Sequence, residues 1–198
     1  AGTVTNGATG EPLNGVLVTA NPTGYFTDYI LDDGTYEDGI AITSGIGWLG
    51  NRFVTSDYGY LNSVSAYFDY GAAMTVPLTM EIFDNAGVSL GSSDPVLVTS
   101  VGWYTFTLPS IPFNGTFYAM CKWDNAGTTR YQGFDQNGPN AGAGLSFYYD
   151  GAVWSNLTGF GFTGVFGQHV SAFIEGTTVM MTPGQNTTMV KSTAPANL

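Results

Sequence analysis

The chain of 198 residues has four basic residues, Arg52, Lys122, Arg130 and Lys191, against fifteen acidic ones, for a formal net charge of −11. A phosphate-binding or anionic-membrane surface needs clustered Lys and Arg, so nucleic acid and anionic lipid are excluded as partners. Charged residues make up 10 % of the chain, where about a quarter is usual, and Thr, Ser, Asn, Gly and Tyr take over the solvation. Such a surface suits a secreted protein whose partners are neutral glycans or copies of itself.

At 43 % hydrophobic residues, with 4 Trp, 12 Tyr and 13 Phe, the chain can build one well-buried core. No run of 18 apolar residues exists, so no membrane insertion is expected. The chain opens on Ala1 without a signal-peptide pattern and reads as a mature, processed product. Residues 1–24 hold two short predicted strands, 2–6 and 16–20, around the turn Thr9-Gly10-Glu11-Pro12. Two strands cannot stand alone, so they must add to the main sandwich or to another subunit.

Residues 25–176 form the predicted sandwich. Its first feature is the acidic run Asp32-Asp33-Gly34-Thr35-Tyr36-Glu37-Asp38-Gly39. The four carboxylates of Asp32, Asp33, Glu37 and Asp38 offer oxygen ligands to Ca²⁺, which takes six to eight. The spacing is not that of an EF-hand, and the competing reading is a solvated turn. A structural calcium ion is the one cofactor this sequence suggests.

From there the periodicity is two almost everywhere. Val64, Ala66, Phe68 and Tyr70 share one face, and Val76, Leu78, Met80 and Ile82 alternate with Thr75, Thr79 and Glu81. Tyr104, Phe106 and Leu108 oppose Trp103, Thr105 and Thr107, and either set could face outward. Cys121, the only cysteine, shares its parity with Phe117, Ala119 and Trp123, which predicts a buried core thiol and excludes an intrachain disulfide. Val170, Ala172 and Ile174 alternate with His169, Ser171 and Phe173. The runs end at turn chemistry: Asp84-Asn85-Ala86-Gly87, Asp124-Asn125-Ala126-Gly127, Asp135-Gln136-Asn137-Gly138 and Tyr149-Asp150-Gly151. With 28 glycines and no helical periodicity, the expected fold is all-β, a jelly-roll-like antiparallel β-sandwich with extra N-terminal strands. Residues 177–198 read as an extended polar C-terminal tail with apolar beads.

The search for catalysis is nearly empty. No G-x-S-x-G elbow, H-E-x-x-H or P-loop occurs, and the lone His169 sits in a strand, where a structural or surface role is expected. Glu81 and Glu175 are the only glycosidase candidates, and sequence does not bring them together. Lys122 lacks a marked acid for an isopeptide bond. The sequons at Asn114, Asn156 and Asn186 matter only in a glycosylating host. Four tryptophans allow a sugar-stacking platform, for which Trp103 and Trp154 are the candidates.

Two stretches carry family resemblances. The opening GTVTNGATGEPLNGVLVTA resembles the first hairpin of carboxypeptidase-regulatory-like domains, without the strands that complete that fold. Over residues 29–176, ILDDGTYEDGIAI, YFDY, EIFDNAG, GWYTFTLP, NGTFYAMCKWDN and SFYYDGAVWSNL resemble a jelly-roll-like β-sandwich module of Bacteroidota surface proteins exported by the type IX system. In the closing GVFGQHVSAFIEG, His169 and Ser171 stand where such modules carry an Arg-containing strand. The resemblance implies an extracellular or bacterial cell-surface setting and no catalytic residues.

The expected function is therefore a non-catalytic extracellular structural or adhesive subunit, joining copies of itself into a surface filament by β-strand addition. The candidate assembly residues are Val4, Val16 and Val18 near the start and Val179, Met181, Met189 and Val190 in the tail. The alternative is a carbohydrate-binding module associated with a secreted enzyme, recognising neutral glycans.

Overall fold

The computed structural model describes residues 9–10, 24–125 and 129–176. The strands expected at 2–6 and 16–20, the tail, and the assembly candidates Val4, Val16, Val18, Val179, Met181, Met189 and Val190 lie outside the described residues.

Thirteen strands follow one another among the described residues: β1 (Gly24–Ile30), β2 (Asp38–Ile40), β3 (Gly45–Phe53), β4 (Tyr58–Gly71), β5 (Thr79–Asp84), β6 (Ser89–Ser92) and β7 (Gly102–Asn114), then β8 (Phe117–Asn125), β9 (Arg130–Asp135), β10 (Ser146–Tyr149), β11 (Trp154–Asn156), β12 (Val165–Phe166) and β13 (Gln168–Glu175). A single 3-10 turn, Leu157–Phe160, is the only helical element among the described residues. Its Asn156 cap accepts the Thr158 N–H, and Gly161 closes it in the left-handed region. The expected all-β antiparallel sandwich is what the chain forms.

All strand pairs among the described residues are antiparallel. One sheet has six strands in the order β11-β10-β3-β8-β5-β6. The other has seven: β1 pairs β13, β13 pairs β4, and β4 pairs β7 along its far side. Beyond Ala66, β4 leaves β13 and pairs β9, which is flanked by β12 and β2.

The core follows the alternation of each strand. Leu61, Val64, Ala66 and Phe68 of β4, Phe106 and Leu108 of β7, and Val170, Ala172 and Ile174 of β13 meet Leu49, Phe53, Met80, Ile82, Phe117, Ala119, Cys121 and Trp123 of the opposite sheet. Facing apolar surfaces of two sheets bury one another in this way at a spacing of about 10 Å. Cys121 is fully buried, as its parity predicts, and burial alone pushes its thiol pKa well up.

Two buried polar side chains, Asn51 and Gln168, tie the two sheets together. Asn51 of β3 donates Nδ2–H to the Phe166 carbonyl (2.8 Å) and accepts the Phe166 N–H on Oδ1 (2.9 Å). It thereby supplies the hydrogen bonds that a neighbouring strand would give, beside Gly167, where β12 passes into β13. Its own N–H goes to Gln168 Oε1 at 3.2 Å. Every polar group of that backbone segment needs such a partner, because a buried orphan is costly.

Candidate functional site

The outward faces of the two sheets carry the chemistry. On the seven-stranded sheet, β7 turns Phe106 and Leu108 inward, so Trp103, Thr105 and Thr107 face out. The register then lays out two rows across the strands. Ile30, His169, Ser65 and Thr105 form one, and Asp28, Ser171, Ser63 and Thr107 the next. Ser65 and Thr105 of the first row and Ser171, Ser63 and Thr107 of the second are small hydroxyl side chains, and Ser65 Oγ is hydrogen-bonded to Thr105 Oγ1 at 2.8 Å.

Aromatic rings bound this floor at either end. Trp103, 43 % exposed, packs on His169 with ring centroids 4.3 Å apart and meets Tyr67 edge-on at 5.6 Å. Tyr36 stacks on Tyr67 at 4.5 Å. At the other end Phe26 crosses Phe173 at 5.2 Å, with Tyr60 exposed nearby on β4. Tyr36 lies flat on the sheet because two glycines make room beneath it. A Cβ on Gly167 would stand 2.6 Å from Tyr36 Cε1, and one on Gly133 would stand 2.9 Å from Tyr36 Cγ. Glycine inside a strand commonly marks such a close approach.

The acidic run behaves as the anchor of this cluster. The Asp32 carboxylate is fully withdrawn from solvent, and its Oδ1 accepts the Gly34 N–H (3.0 Å) and the Tyr36 hydroxyl (3.1 Å). His169 Nε2 approaches the same carboxylate at 3.4 Å, while Asp32 Oδ2 has no hydrogen-bond donor. Burial, followed by the nearby Asp32 charge, pushes the Tyr36 hydroxyl pKa up. The other three carboxylates of the run are joined through shared donors, Asp33 and Glu37 through the Thr35 hydroxyl and Glu37 and Asp38 through Gln136. Asp33 accepts from Thr35, which lowers its pKa. Glu37 accepts the Gln136 N–H and Asp38 the Tyr70 hydroxyl. Among the described residues no three His, Cys, Asp or Glu side chains are grouped so as to hold a metal ion.

The six-stranded sheet has a second aromatic face. Trp154 stacks on Tyr149 at 4.7 Å, and both rings cover Phe83. Trp48 donates Nε1–H to Glu81 Oε2 at 2.8 Å, and Lys122 Nζ lies 4.9 Å from the Trp48 ring centroid. These rings are half-buried against one another. Trp103 and Trp154 therefore belong to opposite faces of the sandwich and share no platform. Glu81 and Glu175 are likewise on different sheets, and both Glu81 oxygens are taken, by Trp48 and by Ser89.

Sequence reasoning singled out Trp103 but not Tyr36, Tyr67 or the Asp32–His169 approach. The available signal was the pair of glycines in YQGFD and VFGQH. It also missed Tyr104, whose phenolic oxygen accepts the Thr99 and Ser100 N–H groups at 3.1 and 2.9 Å and pairs with Ser100 Oγ. The Ser100 hydroxyl contact leads the causes that lower its pKa to about 8.

The edges of the sheets differ in regularity. β1 is paired over all seven residues with β13 and carries one charged side chain, Asp28. The opposite edge, β7, contains Pro109 and Pro112, and its register breaks where Leu61 faces Ile111 and Ser63 faces Thr107. β6 and β11, the edges of the other sheet, have four and three residues. No protein-family model and no curated protein matches this chain.

Proposed function

We propose that this chain is a non-catalytic structural or adhesive subunit of an extracellular assembly, and that copies join by β-strand addition to the edge of β1. The carrying observation is that, among the described residues, β1 is the one long, regular edge in a sandwich whose other edges are short, bulged or proline-bearing. The direction of its free hydrogen-bonding groups follows from the ladder. The Tyr67 N–H donates to the Gly167 carbonyl, so odd residues at the start of β13 turn their main-chain groups toward β4. Val170 then turns toward β1 and bonds its partner Tyr29. Phe26, Asp28 and Ile30 consequently aim their N–H and C=O groups away from β13, toward the open edge. Soluble β-proteins guard such edges with Lys or Pro, and β1 has neither. Tyr25, Phe26 and Ile30 are exposed along it.

An extended terminal segment of a neighbouring copy supplies the added strand. Main-chain hydrogen bonds provide affinity and alternate side chains provide register. Such a contact is heterologous and propagates as a filament when its rotation does not close. The scarcity of Lys and Arg suits both this pairing and a secreted setting. Electron microscopy and light scattering of the purified protein test the reading. Linear assemblies that grow with concentration are expected, and uniformly monomeric particles at all concentrations would sink it. The carbohydrate-binding reading is favoured by a different observation, the Trp103 face.

A further inference from the structure

We propose that the outward face of the seven-stranded sheet binds a neutral carbohydrate, with a pyranose ring stacked on Trp103 and its hydroxyls on the floor of Ser65, Thr105 and Thr107. The inference stands independently of the assembly reading, because it uses a sheet face rather than an edge.

Three features of the face select this ligand class. The first is an indole left 43 % exposed yet held in place by His169 and Tyr67. Fixed aromatic faces carry a negative quadrupole that attracts the C–H bonds of a sugar ring, and holding the indole in advance lowers the entropy cost of stacking. The second is the adjoining row of hydroxyls, in which Ser65 and Thr105 pair at 2.8 Å and both remain solvent-accessible. Hydroxyl groups that donate and accept match the alternating donors and acceptors of a sugar. The third is charge. Of the cations among the described residues, Arg130 is buried on the Asp69 and Thr99 carbonyls, and Arg52 and Lys122 lie on the other sheet. Among the described residues no Lys or Arg reaches this face to hold a uronate, sulfate or phosphate, so the ligand is uncharged.

The supporting groups are built for rigidity. Asp32, withdrawn from solvent, fixes Tyr36 through its hydroxyl and faces His169, so the rings beneath and beside the indole are set by one buried carboxylate. Asp32 and His169 are positioning residues in this scheme, and Trp103 makes the contact.

Affinity electrophoresis in native gels containing β-glucan, xylan, mannan or galactan tests the proposal. The unaltered protein is expected to be retarded by at least one of these neutral polymers. Trp103→Ala should weaken retardation roughly tenfold or more, the scale of losing one stacked ring. Thr105→Lys, a change at an exposed position that leaves the indole intact, should block the floor and weaken it similarly. Trp154→Ala, on the opposite face, should bind as the unaltered protein does. Retardation by none of the four polymers overturns the proposal. So does undiminished binding by Trp103→Ala and Thr105→Lys, or loss of binding by Trp154→Ala alone.

Discussion

His169 Nε2 stands 3.4 Å from both carboxylate oxygens of Asp32, a residue 137 positions earlier in the chain. That approach fastens the loop before β2 to the outward face of β13, and the same carboxylate holds the Gly34 N–H and the Tyr36 hydroxyl. Removing it strands two donors in a partly buried site, at a cost of about 1–3 kcal/mol. Asp32→Ala is therefore expected to lower stability by that amount in urea titration, with the slope unchanged. His169→Ala should cost less, because its side chain is 33 % exposed. A wild-type midpoint for Asp32→Ala would show that the loop is held by something else.

Tyr104 gives a pH dependence with a definite sign. Its pKa is lowered from 10.0 to about 8 by the Ser100 hydroxyl and the neighbouring N–H groups. The folded state thus favours the phenolate. The stability this contributes is fully present above the ordinary value and is lost as pH falls through about 8. Tyr29 and Tyr36 act oppositely, since burial raises both. Their contribution is present below the ordinary tyrosine value and is lost as pH rises beyond it. Stability should climb between about pH 8 and 10 and then decline. Absorbance at 295 nm should show one tyrosine of the twelve ionising near pH 8. Tyr104→Phe should remove both that step and the climb. A climb that survives Tyr104→Phe would mean another group is responsible.

The core was legible wherever one strand keeps one neighbour. Val64, Ala66, Phe68, Leu78, Met80, Ile82, Val170 and Ala172 are buried as their alternation predicts. Tyr70, placed by parity with the first three, is 45 % exposed because β4 changes partners and its register shifts between Phe68 and Gly71. Phe83 is buried although its parity points outward, because Trp154 and Tyr149 cover it. Local turn chemistry was readable too: Asp84 accepts the Ala86 and Val88 N–H groups, and Gly87 takes φ +80°. The Trp103 face was not readable. Its rings come from a loop and from β4, β7 and β13, and only the register of two strand pairs, β13 with β4 and β4 with β7, puts the strand-borne ones side by side. Period two left the Trp103 and Tyr104 sets equivalent, and packing against Phe68 decided for Tyr104 as the inner one.

Cys121 offers a probe of the core that needs no mutation. Its thiol is buried among Phe117, Ala119 and Trp123 parity partners, and desolvation pushes its pKa well up. The thiolate is the reactive form, so a buried, protonated thiol is inert. An aromatic disulfide reagent should label Cys121 only as fast as the domain opens, with rates rising in step with urea. Rapid labelling in buffer, with native circular dichroism retained, would contradict a closed sandwich around β8.

Two adjacent prolines separate assembly from folding. The Asp28 N–H points to the open edge, whereas the Thr27 N–H points into the β1–β13 ladder by the alternation fixed at Tyr29 and Val170. Proline is tolerated on an edge strand where the missing N–H faced solvent. Asp28→Pro should therefore keep the thermal midpoint close to that of the unaltered protein while abolishing linear assemblies, since an incoming strand loses a donor and meets the ring. Thr27→Pro removes a ladder bond and leaves an acceptor in β13 unpaired, lowering stability by about 1–3 kcal/mol. Assembly that persists in Asp28→Pro would place the joining surface somewhere other than β1. The opposite pattern, with Asp28→Pro unfolding and Thr27→Pro unaffected, would mean that the ladder parity at Tyr29 is reversed.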